Sequence, residues 1–356
     1  MRTDKELLLA TKQFASEKRW ISWWCLLSTL AAYAICLAIV VSDSSLWIRL
    51  LASCISGLVT VRLFIIYHDY EHGAILQKSL FVKLTMQLYG MLVLSPISVW
   101  NRSHDHHHKH NCKETGVSIG SYPIITSEQY FNLPLSKRLA YGLARHPLTM
   151  IFGYLTVFMY GMCIRAFVLN PRQHLDSGLA LVLHVGLIIG LSYFGLDAVV
   201  LCLILPLIIA CGTGSYLFYA QHNFPGCKLT KKDDWSYVAA ALRSSSYIKM
   251  GWVGEWFTGN VGYHHVHHLN AKIPFYRLPE AMAAIEELRS PLVTSLAPQD
   301  VLSCWNLKLW DPDHDKLVSF REAVNFRAHT NKASAVVRPK REVAMSLATS
   351  VSRSIL

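Results

Sequence analysis

Six runs of apolar residues decide what this chain can fold into. They occupy roughly residues 21–41, 46–67, 81–100, 148–169, 178–195 and 197–220. A helical bilayer crossing needs about 20 mostly apolar residues. Inside lipid every backbone N–H and C=O must be satisfied by the protein itself, so runs of this length read as helices. Composition agrees: of 356 residues, 52% are hydrophobic and 16% charged, against about a quarter charged in a soluble domain. The short "SDSS" turn (42–45) joins the first two runs, and the last two meet at Gly195–Asp197. Each pair therefore reads as a helical hairpin. Arg49 and Arg62 lie near the ends of the second run, where long side chains can reach the interface.

The formal charge of +11 admits nucleic acid or anionic lipid as a partner. Lys and Arg fall between and after the apolar runs and not in one patch, which selects the lipid surface over nucleic acid. Lys5, Lys12, Lys18 and Arg19 precede the first run. Arg102, Lys109, Lys113, Lys137, Arg138 and Arg145 lie between the third and fourth, and the 42–45 turn has neither residue type. The positive-inside rule then places the N-terminus, the 101–147 loop and the C-terminal region in the cytoplasm. Residues 1–20 mix charges of both signs and are too polar for a signal peptide. The nine cysteines lack paired spacing, and five (Cys25, Cys36, Cys54, Cys202, Cys211) sit inside apolar runs as small hydrophobes. From about residue 226 the chain turns polar. There "RLPEAMAAIEELRS" (277–290) starts a helix at Pro279. The expected organisation is a cytoplasmic segment 1–20, a membrane domain 21–329 whose part 226–329 is a cytoplasmic helical cap, and a flexible basic tail 330–356.

Seventeen histidines are distributed far from evenly. "HDYEH" places His68 and His72 at i,i+4, on one helical face. "HDHHHKH" (104–110) contains His104, His107 and His108 at i, i+3, i+4, and "HHVHH" repeats that spacing as His264, His267 and His268. His222 closes the sixth run in "YAQHNFP". A single such pair is most simply packed or solvated rings. Three groups with ligand spacing point to metal, since neutral imidazole is the commonest side-chain ligand. Eight or nine rings exceed one ion's needs, so two metals are implied. Zinc closes a four-ligand site, often with Cys, and no Cys belongs to these boxes, so the donor set suggests iron. His106, His110 and His265 point away from the three-ring faces of regular helices. Asp69 and Asp105, and less so Glu71, are placed to orient ring nitrogens from behind.

All boxes must meet on one side of the bilayer. The first hairpin returns the chain to the cytoplasm at His68. His104 is cytoplasmic by charge, so 81–100 is interfacial or re-entrant. Three runs lie between that box and His222, where an even number must cross. We expect 148–169 to fail, weakened by Gly153, Gly161 and Arg165. Four transmembrane helices remain, about 21–41, 46–67, 178–195 and 197–220, in an all-α integral membrane protein. A pocket belongs between the helices beneath the metals; Trp100, Tyr67 and Trp256 could line it, or equally belong to the interfacial aromatic belt.

With these boxes in place the chain resembles the membrane fatty acid desaturase family. "HDYEHG", "SHDHHHKHN" and "HHVHHL" resemble its three histidine boxes. "FTGNVGYHHVHHLNAKIPFYRL" (257–278) resembles in particular the bacterial and cyanobacterial acyl-lipid desaturases of the delta-12 type. The resemblance covers roughly residues 45–325. It implies a di-iron centre that uses dioxygen and two electrons to introduce a cis double bond into a long acyl chain. It implies His68, His72, His104, His107, His108, His222, His264, His267 and His268 as iron ligands. The substrate is then an acyl lipid or acyl thioester. A separate ferredoxin or b-type cytochrome supplies electrons, since the sequence has no haem, CxxC or GxGxxG motif. The implied location is the bacterial inner membrane, with the site on the cytoplasmic face. Two departures stand out. An asparagine ligand of the acyl-CoA branch falls at Phe218, leaving Asn260 or water as substitute candidates. Asn111 follows the second box without a preceding Thr. A hydroxylase or ketolase acting on carotenoid, sterol or alkane would share the boxes. A metal transporter would need polar ligands inside the spans, which hold few beyond His184, Tyr193 and Asp197.

Overall fold

A computed structural model describes residues 2–113 and 122–329; the proposed tail 330–356 lies outside the described residues. A short helix, α1 (Asp4–Thr11), carries a capping box in which Thr3 and Glu6 satisfy each other's backbone donors. Next come α2 (Arg19–Val40) and α3 (Leu46–Glu71), joined by five residues and packed along each other. No breaker interrupts α3 before Gly73 (φ 66°), so the helix runs four residues past the apolar run. That extension carries His68 on the same rigid rod as the span.

The third apolar run is not one helix. It divides into α4 (Leu80–Leu92) and α5 (Ile97–His110), bent by 89°. Leu94 is left-handed (φ 57°) and Pro96 caps α5. Proline disfavours α geometry in the residue before it, which explains the break. Helices α6 (Ser127–Asn132), α7 (Leu135–Ala144) and α8 (Pro147–Ile151) follow. The fourth run forms α9 (Tyr154–Leu169), apolar but shorter than a crossing needs, and π-helical over Tyr154–Arg165. Then α10 (Leu175–Ser192) and α11 (Leu196–Ala220) meet at Gly195 (φ 108°). Among the described residues four helices are long and apolar enough to cross a membrane: α2, α3, α10 and α11.

After α11 come α12 (Tyr237–Arg243), α13 (Gly251–Phe257), α14 (His264–Leu269), α15 (Leu278–Ala284, with Pro279 in its first turn) and α16 (Pro298–Asn306). This region departs from the all-α expectation in four three-residue strands. β1 (Tyr247–Lys249) pairs in parallel with β2 (Val293–Ser295), and β3 (Leu309–Asp311) pairs antiparallel with β4 (Lys316–Val318). They are too short for a periodic signal in sequence.

The main core joins α2, α3 and α4 to α14 and the residues after it, through Leu26, Ile66, Tyr67, Met86, Val266 and Ile273. Arg62 does not reach the interface as its position in sequence suggests. It is buried, donates to Thr29 Oγ1 at 3.2 Å and to the Trp256 carbonyl, and lies 4.4 Å from the Trp256 ring centroid. With the carbonyl and the aromatic face available within the protein, the guanidinium gains nothing by extending to water. Arg49 pairs with Asp197 at 2.5 Å, tying the first turn of α3 to the first turn of α11.

Candidate metal centre

Nine imidazoles converge where α3, α5, α11 and α14 end. They form two groups, and in each the ligand atoms lie within 4.8 Å of one another. His68, His72, His104, His108 and His267 make the first; His107, His222, His264 and His268 make the second. Helical geometry explains the split. On α5 the i,i+4 pair His104 and His108 enters the first group, while His107 turns to the second. On α14 the i,i+4 pair His264 and His268 enters the second, while His267 turns to the first. Each three-ring box therefore serves both groups and fastens them together.

All nine rings present Nε2 to the interior of the cluster. Nε2–Nε2 separations are 3.0 Å for His68–His104 and His72–His104, 3.1 Å for His104–His108 and His108–His267, 3.2 Å for His107–His268 and 2.9 Å for His222–His264. A neutral imidazole carries one N–H, and one N–H satisfies one acceptor. His104 Nε2 faces three other Nε2 atoms at these distances, so hydrogen bonding alone leaves lone pairs opposed. Two nitrogens bound at right angles to one cation at about 2.1 Å would be roughly 3 Å apart. The donor set thus fits two cations.

Other groups fix ring orientation. Asp69 Oδ1 lies 3.0 Å from His68 Nδ1, and its Oδ2 accepts from the Phe275 N–H at 2.6 Å. His222 Nδ1 donates to the Ser244 carbonyl at 2.9 Å. Both bonds put the proton on Nδ1 and free Nε2. Trp100 stacks on His104, centroids 4.6 Å apart and planes within 17°. Burial holds His104, His107, His108, His264, His267 and His268 well below the usual imidazole pKa, and neighbouring rings add to the effect. His72 is lowered likewise, with Lys272 contributing. These rings stay neutral at physiological pH, the form that ligates metal.

Of the orienting carboxylates read from sequence, Asp69 touches a ring. Asp105 is exposed on the outer side of α5, and no hydrogen bond joins it to a ring among the described residues. Glu71 accepts from Asn101 Nδ2 at 2.8 Å. His106 and His110 stack on each other away from the cluster, and His265 lies near the Leu288 carbonyl at 3.2 Å. Asn260, at φ 55°, turns its amide to the Phe275 carbonyl. Phe218 packs on His107, centroids 5.0 Å apart. Sequence reading missed the Ser244 carbonyl and the Phe275 amide, because backbone groups leave no residue-type signal.

The family model for fatty acid desaturases matches residues 44–295, and every histidine of both groups falls within that span. The chain belongs to the fatty acid desaturase family. A "Fatty acid desaturase" of Bacillus subtilis is 31% identical over 78% of this chain and 79% of its own length. An "sn-1 oleoyl-lipid 12-desaturase" of a Picosynechococcus species is 24% identical, over 65% of this chain and 67% of its own. An "sn-1 acyl-lipid omega-3 desaturase (ferredoxin)" of a Nostoc species is 23% identical over 70% of each. The protein is thus an oxidoreductase of lipid metabolism, and its apolar helices make it an integral membrane protein. Hydroxylase and ketolase readings of the same boxes are not favoured.

This desaturase contains a cavity of about 910 Å³, near the upper end of the ~300–1,000 Å³ usual for ligand pockets. Phe64, Val93, Val99, Phe158 and Leu217 are among its many apolar walls, and His68, His104 and His264 line it too, so it passes rings of both groups. Trp100 lines it as expected. Tyr67 instead donates to the Ser95 carbonyl, and Trp256 covers Arg62.

Proposed function

We propose that this protein introduces a cis double bond into a long, lipid-linked acyl chain, as a delta-12-type acyl-lipid desaturase. The carrying observation is the apolar cavity that runs past rings of both histidine groups. A methylene chain lying there passes His68, His104 and His264. Two iron ions held by the nine histidines would supply dioxygen activation and hydrogen removal. The balance is –CH2–CH2– + O2 + 2 e⁻ + 2 H⁺ → –CH=CH– + 2 H2O. A separate ferredoxin or b-type cytochrome supplies the electrons.

The chain's own side chains position and seal. Asp69 fixes the tautomer of His68, and the Ser244 carbonyl fixes that of His222. Trp100 and Phe218 pack against rings and keep water from the reacting carbons. We assign α2–α3 and α10–α11 as two transmembrane hairpins, α4–α5 and α9 as interfacial or re-entrant, and residues 226–329 as a cytoplasmic cap. The charge distribution supports that orientation, with the inner membrane of a bacterium as its setting.

Expression in a host rich in monounsaturated lipids tests the reading. We expect diunsaturated acyl chains, located by gas chromatography with double-bond assignment. His267→Ala should abolish them while membrane insertion persists. An unchanged lipid profile in several hosts, with iron-loaded protein present, overturns the proposal.

A further inference from the structure

Among the described residues the cavity wall carries two charged side chains besides its histidines. Arg102 and Arg165 line the cavity, and among the described residues no Asp or Glu does. Both arginines are exposed, and among the described residues neither has an acidic partner in an ion pair. Arg102 Nη1 donates to Gln173 Oε1 at 3.2 Å. Gln173 belongs to the turn that follows α9, the helix bearing Arg165, so Arg102 reaches toward the C-terminal end of that helix. Arg172 stands exposed in the same turn. The carboxylate there, Asp176, is already engaged: Oδ2 accepts from Ser98 N at 2.9 Å, and Oδ1 from Ser98 Oγ at 2.6 Å and Ser177 N at 3.0 Å.

The π-helical course of α9 shapes this rim. Bonds from i to i+5 widen each turn, so residues four and five apart share a face. Thr156, Tyr160, Gly161 and Arg165 follow that spacing within the π-helical part and line the cavity, together with Val157, Phe158 and Met162 beside them. The same helix exposes the apolar residues Leu155, Ile164 and Val168, and Tyr160 and Leu169 are themselves 58% and 69% exposed. The cavity therefore opens beside a helix suited to lipid contact, with cations at its edge.

We propose that this rim is a phosphate site, where Arg102 and Arg165 hold the phosphodiester of a membrane phospholipid while one acyl chain enters the cavity. The proposal rests on the desaturase reading above and adds the head of the substrate to it. A guanidinium offers paired N–H donors that match phosphate oxygens and keeps its charge at any physiological pH. A rim site leaves the phosphate at the interface while the chain crosses apolar walls. Entry beside α9 also lets the second acyl chain stay in the bilayer. A coenzyme A thioester carries phosphates too, but it would approach from water, and the apolar flank of the rim favours the lipid.

Calorimetric titration of the full-length protein in uncharged detergent tests this, with dioctanoyl phosphatidylglycerol, dioctanoylglycerol and octanoyl-coenzyme A as probes. We expect the phosphatidylglycerol to bind about tenfold tighter than the phosphate-free diacylglycerol. The double variant Arg102→Gln, Arg165→Gln should lose that difference, and Lys at both positions should restore most of it. In vesicles, the double variant should raise KM for phosphatidylglycerol about tenfold with kcat nearly unchanged, the pattern of lost ground-state binding. Equal binding of phosphatidylglycerol and diacylglycerol, or an unaltered double variant, overturns the site. Tighter binding of the coenzyme A thioester overturns the lipid as its occupant. Calorimetry as expected, with no desaturation under any electron donor, supports the phosphate site and sinks the desaturase reading instead.

Discussion

Asp69 holds two things at once. One oxygen faces His68 Nδ1 and the other takes the backbone N–H of Phe275, so the first box and the segment after the third are clamped by one carboxylate. Asn in its place keeps the shape but is a weaker acceptor for the His68 Nδ1–H bond that leaves Nε2 free. Groups that orient metal-bound histidines typically contribute about 10–100-fold in affinity or activity. We expect Asp69→Asn to lose activity in that range, with bound iron weakened in parallel by metal analysis; full iron and full activity would contradict the assignment. His222 is the one ring of the second group outside the three boxes. His222→Ala should lower iron from two per chain toward one, because the first group keeps all five of its rings.

Close helix approach depends on particular glycines. A Cβ on Gly212 of α11 would lie 2.8 Å from the Ile151 carbonyl of α8, and one on Gly153 would meet Ser215 Oγ of α11. A Cβ on Gly57 of α3 would come within 2.9 Å of Ile209 Cβ on α11. Small residues at such crossings let apolar helices pack where lipid gives no hydrophobic drive. Gly212→Val should cost about 1–3 kcal/mol by overpacking, read as a lower melting temperature in detergent. Gly186→Ala, where no atom lies within 4 Å, should leave that temperature unchanged or slightly raised. Thr149 of α8 and Cys211, Gly214 and Ser215 of α11 line the cavity, so Gly212→Val should also reduce turnover.

At the scale of the molecule, burying so many imidazoles makes stability depend on pH. His265 is pushed down to about 4 by burial, and seven rings of the cluster outside the spans are lowered as well. Below an ordinary histidine pKa of about 6.5 the unfolded chain binds protons that the folded chain refuses. Stability is therefore full above that value and falls as pH drops through it toward the folded values. Proton competition for ligand nitrogens acts in the same direction on metal. The melting temperature should fall steadily from neutral pH to about pH 5, and a flat profile would show that the rings are not buried neutral. The sequence by itself determined the four long apolar helices, the eight box histidines that meet and the three that turn away, since hydrophobic length and i, i+3, i+4 spacing are local properties; His222 was added by the family resemblance. Helical spacing keeps His104 with His108 and His264 with His268, but the tertiary structure alone decided which rings of other elements each pair, and each of His107 and His267, would meet. Which group a ring joins depends on how α5 and α14 cross, and no single helix contains that angle. The break at Leu94, the burial of Arg62 and the carbonyl behind His222 were likewise invisible, because each arises where distant segments pack and satisfy one another's polar groups.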